Sequence, residues 1–173
     1  PKKITLADAF VNHLGLTQID EDKLESFENE KGDFHEETEY HSGEAIFENG
    51  DPSDGFFVVL SGSVALFKQQ SGRQNSNRAN ILSGAGSVRS QSRRNLGEAE
   101  TFLQPGSVFG FVDFMLQHPW PFNAVAAKDH TLVAKLPRSG LERLKAETPE
   151  LDHIVDKVLL RASILQLSSA PNL

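Results

Sequence analysis

Residues 40–64 read YHSGEAIFENGDPSDGFFVVLSGSV. Three clusters of turn-forming residues divide this stretch: His41 to Gly43, Asn49 to Pro52, and Ser61-Gly62. The apolar runs between them are short and rich in aromatic and β-branched residues, which predicts strands over Ala45 to Phe47, Phe56 to Leu60 and, just beyond, Val64 to Phe67. In the middle run Phe56, Val58 and Leu60 fall on one face while Phe57 and Val59 fall on the other. Both faces of that strand are therefore expected to be covered, as in a barrel or jelly roll.

Reading outward, short strands recur at Thr101 to Leu103, Val108-Phe109, Ala124 to Ala127 and Thr131 to Leu136, separated by turn signals such as Pro105-Gly106 and Lys128 to His130. Upstream, Thr5 is placed to cap a helix whose Leu6, Phe10 and Leu14 share one face, with Gly15 suited to end it. Asp20 is placed to cap a second, shorter helix carrying Leu24 and Phe27. Downstream, Ser139 is expected to cap a helix through Leu141 and Leu144, and Thr148 a longer one with Pro149 in its first turn. There Leu151, Ile154, Val155, Val158, Ala162 and Leu165 form a single apolar stripe, so the helix docks on something.

The chain has 173 residues, no Cys and a formal charge of −7. Its length suffices to bury a core, and the lack of Cys excludes a disulfide scaffold, a Cys-type zinc site and a thiol nucleophile. No apolar run reaches the roughly 18 residues of a membrane-spanning helix, and the first residues lack the apolar core of a signal peptide. The expectation is a cytoplasmic domain, excised from or belonging to a longer protein, since the sequence starts at Pro1. The acidic balance argues against a nucleic-acid partner. Charge is uneven, however: Gln70 to Gly97 holds Arg73, Arg78, Arg89, Arg93 and Arg94 without an acidic residue, so this stretch carries +5 and the remainder −12. With its Ser, Asn, Gly and Gln content, it reads as a flexible insertion over about 70–98. Ser87, Ser90 and Ser92 among those arginines admit charge control by phosphorylation and contact with anionic lipid, beside the alternative of a solvated loop.

The 40–64 stretch, with its Gly-Glu, Gly-Asp, aromatic strand and Ser-Gly-Ser-Val, resembles the first half of a cyclic-nucleotide-binding domain. Leu103 to Gly110, LQPGSVFG, is similar to the lead into that family's phosphate cassette, and Lys128 to Leu144 to its last strand and following helix. The resemblance covers about residues 34–167 in the right order. It implies a mainly β, α+β fold: an eight-stranded jelly-roll barrel over 34–137, preceded by N-terminal helices in 1–33 and followed by two C-terminal helices in 138–173.

The family's ligand contacts are another matter. Its binding members place a Glu directly after Phe-Gly for the ribose and an Arg further on for the cyclic phosphate. Here the Glu position is Phe111 and the Arg position is Trp120 or Pro121. No Arg occurs between Arg94 and Arg138, so shifting the alignment does not restore one; Lys128 and Lys135 are the only Lys in that interval. Loss of a charged partner costs about 2 to 5 kcal/mol, enough to turn micromolar binding into millimolar or none. The vestigial cassette comprises Gly110, Phe111, Val112, Trp120, Pro121, Phe122 and Asn123. The amides of Gly110 to Val112 retain some affinity for an anion. The large aromatics either fill or cover the former nucleotide site, or simply pack in the core or at the barrel surface.

Other chemistry is sparse. HEETEYH at 35–41 lacks the helical His pair of a zinc protease, and its His35 and His41 read as parts of an acidic strand; no metal or cofactor is expected. Asp113 fits the helix-dipole preference of a first turn, and no serine sits in a nucleophile elbow. The sequence points to a non-catalytic regulatory or interaction domain that does not bind cAMP or cGMP in the usual way. The alternative is a sensor of an atypically held nucleotide or of a different, more apolar molecule; a transcription regulator lacks its helix-turn-helix. The expected partners are other domains of a parent protein. The degenerate cassette and long polar insertion are most similar to domains attached to sulfate-permease-type anion transporters, which would bring the domain close to a membrane.

Overall fold

In the computed structural model, residues 3–16, 34–68 and 99–169 are described. The predicted helix at Asp20 to Phe27 and the Arg-rich insertion lie outside them. The strands are β1 (Glu36–Tyr40), β2 (Ala45–Phe47), β3 (Gly55–Ser61), β4 (Val64–Lys68), β5 (Thr101–Leu103), β6 (Val108–Phe109), β7 (Phe122–Ala126) and β8 (Thr131–Pro137). They form two antiparallel four-stranded sheets, ordered β1-β8-β3-β6 and β2-β7-β4-β5. The expected barrel is thus a two-sheet sandwich among the described residues: no ladder joins the sheets, and closure comes from side-chain packing between their inner faces.

Strand β3 organises both layers of the core. All seven of its residues are buried. Phe57 and Val59 point into the sandwich, where they meet Phe47, Val64, Phe109, Trp120, Ala124 and Val133. Phe56, Val58 and Leu60 point outward with Ala134 and Leu136 of β8, under a cover of helices. The alternation read from the sequence is the period-2 geometry of a strand with apolar groups on both sides. Register is fixed by pairing of Val58 with Ala134 on β8 and with Val108 on β6.

The helical cover comes from both ends of the described chain. Helix α1 (Leu6–Asp8) opens with a capping box, in which the Asp8 amide donates to Thr5 Oγ1 (3.1 Å) and the Thr5 amide to Asp8 Oδ2 (3.2 Å). It continues as a π-helical turn over Ala9–His13, with the Leu14 amide bonded to the Ala9 carbonyl. The expected plain α-helix is therefore widened, yet Leu6, Phe10 and Leu14 still reach the core together, and Gly15 takes a left-handed φ of 71°. At the other end, α3 (Arg138–Glu147) and α4 (Pro149–Ser169) pack on the same outer face; the short α2 (Phe111–Leu116) lies in the cassette. Arg161 Nε on α4 donates to the Leu14 carbonyl at 2.9 Å, tying α4 to the end of the N-terminal helix.

Two helix boundaries differ from expectation. Ser139 does not cap α3: Pro137 holds the N-cap position, no side chain caps it, and the Arg138 amide is satisfied by the Asp54 carbonyl at 2.7 Å. On α4 the stripe from Leu151 to Ala162 is buried, but Leu165 is 39% exposed and Leu160, off the stripe, 64% exposed. The helix docks along about its first four turns, through Ala162, and Leu165 then stands at the rim of a concavity. Truncating Ile154 to Ala should cost about 2 to 5 kcal/mol in a urea unfolding curve, whereas Leu160→Ala should stay within about 0.5 kcal/mol of wild type. Equal costs would mean that α4 is docked differently.

Candidate functional site

The cassette begins where β6 ends. Gly110, with φ 74°, turns the chain from β6 into α2 in the left-handed region that a side chain resists. Space is tight there as well, because a Cβ would lie 3.2 Å from Trp120 Nε1 and 3.3 Å from Phe57 Cδ2. The Trp120 indole N–H donates to the Gly110 carbonyl at 3.1 Å, and its ring stacks on Phe47 with centroids 4.0 Å apart. Main-chain bonds hold Trp120 from both sides: its amide donates to the Asp51 carbonyl (3.1 Å), and its carbonyl accepts from the Gly50 amide (2.8 Å). Next to it, Asn123 Oδ1 accepts from the Asn49 amide (2.9 Å), and the Pro121 carbonyl accepts from Asn49 Nδ2 (3.3 Å).

The other end of α2 is held by residues that sequence reading did not single out. Arg138 donates through Nη2 to the Phe114 carbonyl at 2.8 Å, and its guanidinium lies 4.3 Å from the Phe114 ring centroid. This places a cation on the carbonyl end of the short helix, where the peptide dipoles favour it. Ser53 Oγ lies within bonding distance of both the Asp113 and His118 carbonyls, and its single hydroxyl hydrogen serves one at a time. The signals were present, an Arg at the end of the last strand and a Ser in the Asp-Pro-Ser-Asp turn, but neither carries a motif.

Beside the cassette lies an open concavity of about 750 Å³. Its walls are Leu66 of β4, Leu103 of β5, residues 104–113 of the turn and cassette, Phe122 of β7, and Ala162, Leu165 and Gln166 of α4, with His13 and Leu14 at one side. Gly106 (φ 95°) admits His13 there, since any Cβ would overlap the imidazole. Asp113 is the one carboxylate among the described lining residues, and burial raises its pKa, partly offset by a backbone hydrogen bond and by His118. No Lys or Arg is among those described residues.

The structure sorts the expected site residues into separate surroundings. Gly110, Phe111, Val112 and Phe122 line this concavity, whereas Trp120, Pro121 and Asn123 do not. Trp120, only 3% exposed, is a member of the sandwich core, while Phe111, 4% exposed, belongs to the outer core under the helices. Phe111 and Phe122 wall this concavity, and Trp120 packs in the sandwich core. Sequence reading missed the contribution of α4, which no local pattern could assign to a wall.

A smaller recess of about 350 Å³ opens on the opposite side of Trp120, lined by Glu36, Thr38, Tyr40, Asp51 and Asp54 above Phe47 and Phe57. Lys135 in its wall is paired with Asp54 at 3.1 Å. Burial raises the Tyr40 pKa, more than a hydrogen bond with Thr38 lowers it. His35 and His41 do not converge: His35 lies near Glu37, and the His41 ring faces His130, which contacts Glu39. Among the described residues no group of three or more His, Asp or Glu is placed to hold a metal, and no helix is long and apolar enough to cross a membrane.

Residues 37–85 match the family model described as cyclic nucleotide-binding domain. No curated protein sequence matches the chain. Among solved structures, a cyclic nucleotide-binding domain from Methylobacillus flagellatus superposes with a TM-score of 0.66 at 16% identity, covering 94% of this chain and 78% of that one. The N-terminal domain of a transcriptional regulator from Streptomyces coelicolor A3(2) gives 0.62 at 16% identity over 95% of this chain and 99% of the other. The catabolite activator protein of Thermus thermophilus gives 0.56 at 22% identity, with 92% of this chain covering 62% of its length. The chain thus has the fold of a cyclic nucleotide-binding domain.

Trp120 is expected to behave as a structural residue. Trp120→Ala should lower stability by about 3 to 5 kcal/mol. Trp120→Phe, which keeps a ring but removes the indole's hydrogen bond to the Gly110 carbonyl, should cost about 0.5 to 1.5 kcal/mol in the same denaturation assay. A Trp120→Ala protein as stable as wild type would show that the indole is not what anchors the cassette.

Proposed function

We propose that this chain is a non-catalytic regulatory or interaction domain that has kept the cyclic-nucleotide-binding fold and does not bind cAMP or cGMP in the usual way. One observation carries the reading: the cassette wall presents Phe111 where the family's carboxylate would stand, and the described lining of the concavity holds no Lys or Arg. A cyclic phosphate entering it would leave its hydration shell without gaining a cationic partner, and would meet the Asp113 carboxylate instead. Burying an unpaired charge is unfavourable by several kcal/mol. The backbone amides at the start of α2 offset little of this, because the helix spans only Phe111–Leu116 and has Asp113 in its first turn.

Regulation then acts through contacts with other domains of a larger cytoplasmic or membrane-anchored parent, with no nucleic acid and no cofactor involved. The absence of Cys and of a nucleophile-elbow motif supports a non-catalytic role. We infer an anion transporter of the sulfate-permease type as the parent, from the resemblance of the degenerate cassette and the polar insertion; membrane-spanning segments elsewhere in the full-length gene product are the expected finding, and a parent without them overturns that attachment.

Isothermal calorimetry on the 173-residue chain is the direct test. No saturable heat is expected from cAMP or cGMP below millimolar concentration. Micromolar, saturable binding of either would overturn the proposal. Trp120 emission is a poor substitute as a readout, because its ring packs on Phe47 in the core and does not line the concavity.

A further inference from the structure

The concavity beside the cassette has a chemistry of its own. Its volume of about 750 Å³ falls within the roughly 300 to 1,000 Å³ of small-molecule pockets. Apolar side chains from three directions meet in it: Leu66, Leu103 and Phe122 from the sheet, Phe111 and Val112 from α2, and Leu165 from α4. The neutral polar side chains among them are Thr101 on β5, Gln104 and Ser107 on the turn after it, and Gln166 on α4. Such a lining suits a ligand with an apolar body and few polar atoms, which fix its orientation.

Charge narrows the class further. The ionisable side chains of the described lining are His13 and Asp113. Burial already disfavours the negative charge of Asp113, whose pKa is raised. An anion brought alongside would be penalised by the same desolvation and by repulsion from the carboxylate. A cation would find a single carboxylate amid apolar walls, too little to offset its own desolvation.

We propose that the concavity between the cassette and α4 binds an uncharged, mainly apolar small molecule carrying one or two hydrogen-bonding atoms. This rests on the preceding reading that the cassette is not a cyclic-nucleotide site, and it names what the same walls accept instead.

Two fluorescent probes that share one aromatic body test it: neutral N-phenyl-1-naphthylamine and its sulfonated counterpart, 8-anilinonaphthalene-1-sulfonate. The neutral probe is expected to bind the full chain saturably at one site, and the sulfonate at least about tenfold more weakly, as burial of an unpaired charge requires. Leu165→Asp, at the half-exposed rim, should weaken the neutral probe by about tenfold or more, while Leu160→Asp, on α4 outside the lining, should leave it unchanged. Circular dichroism and the unfolding midpoint check that both variants fold. Equal losses from the two variants would assign the probe to the helix exterior and overturn the proposal, as would equal affinity for the two probes. Absent neutral-probe binding with cAMP also inert overturns this inference and leaves the regulatory reading standing. Micromolar displacement of the probe by cAMP, with the sulfonate bound as tightly, brings down both.

Discussion

The hydrogen bond from the Trp120 indole to the Gly110 carbonyl, together with the stack of that indole on Phe47, joins the cassette to the sandwich. The bond spans the two ends of the cassette, the turn into α2 and the approach to β7, and so closes the segment between them into a loop. Phe47 belongs to β2 in one sheet, and Phe57 and Phe109, which also meet this aromatic group, belong to β3 and β6 in the other. The indole thus sits where the two sheets have no hydrogen-bonded connection among the described residues and depend on side-chain contact alone. At the far end of α2, Arg138 and Ser53 make the complementary attachment to the start of α3 and to the loop before β3.

This arrangement separates two properties that coincide when a ligand organises its own binding loop. A cassette fixed by a bound nucleotide is ordered by occupancy, whereas one fixed by an indole and a guanidinium is ordered without it. Preorganisation of this kind lowers the entropic cost of binding anything that fits the remaining space, and lowers the structural response to it. The concavity and the rigid cassette are therefore compatible with a domain whose surface is permanently presented, and whose pocket is a separate matter of shape and polarity.

Much of the sandwich was legible because its strands are short and sharply punctuated. Ala45 to Phe47, Thr101 to Leu103 and Val108-Phe109 lie between turn residues that leave little choice of boundary, and they form as read. The alternation in Phe56 to Leu60 likewise dictated burial on both faces. What failed depended on distant partners. Ser139 is a good cap by type, but α3 starts earlier because Asp54, far away in the chain, satisfies the Arg138 amide. The apolar period of α4 continues to Leu165 although the surface it docks on ends sooner, since periodicity records a face and not the extent of its partner. At the site, the sequence names Phe111 and Trp120 together, and it offers no way to tell that they point into different cores.

Strand β1 ends one sheet, beside β8, with Glu36, Glu37 and Glu39 all exposed along it. An edge strand offers unpaired main-chain groups to any passing strand, including that of a second copy. Here Glu37 pairs with Lys3 at 3.1 Å and Glu39 lies 2.6 Å from His130, so two of the three carboxylates are already engaged across the face of the strand. An incoming strand would have to accommodate those pairs and the Glu36 carboxylate as well, which makes this acidic border a poor place for strand addition.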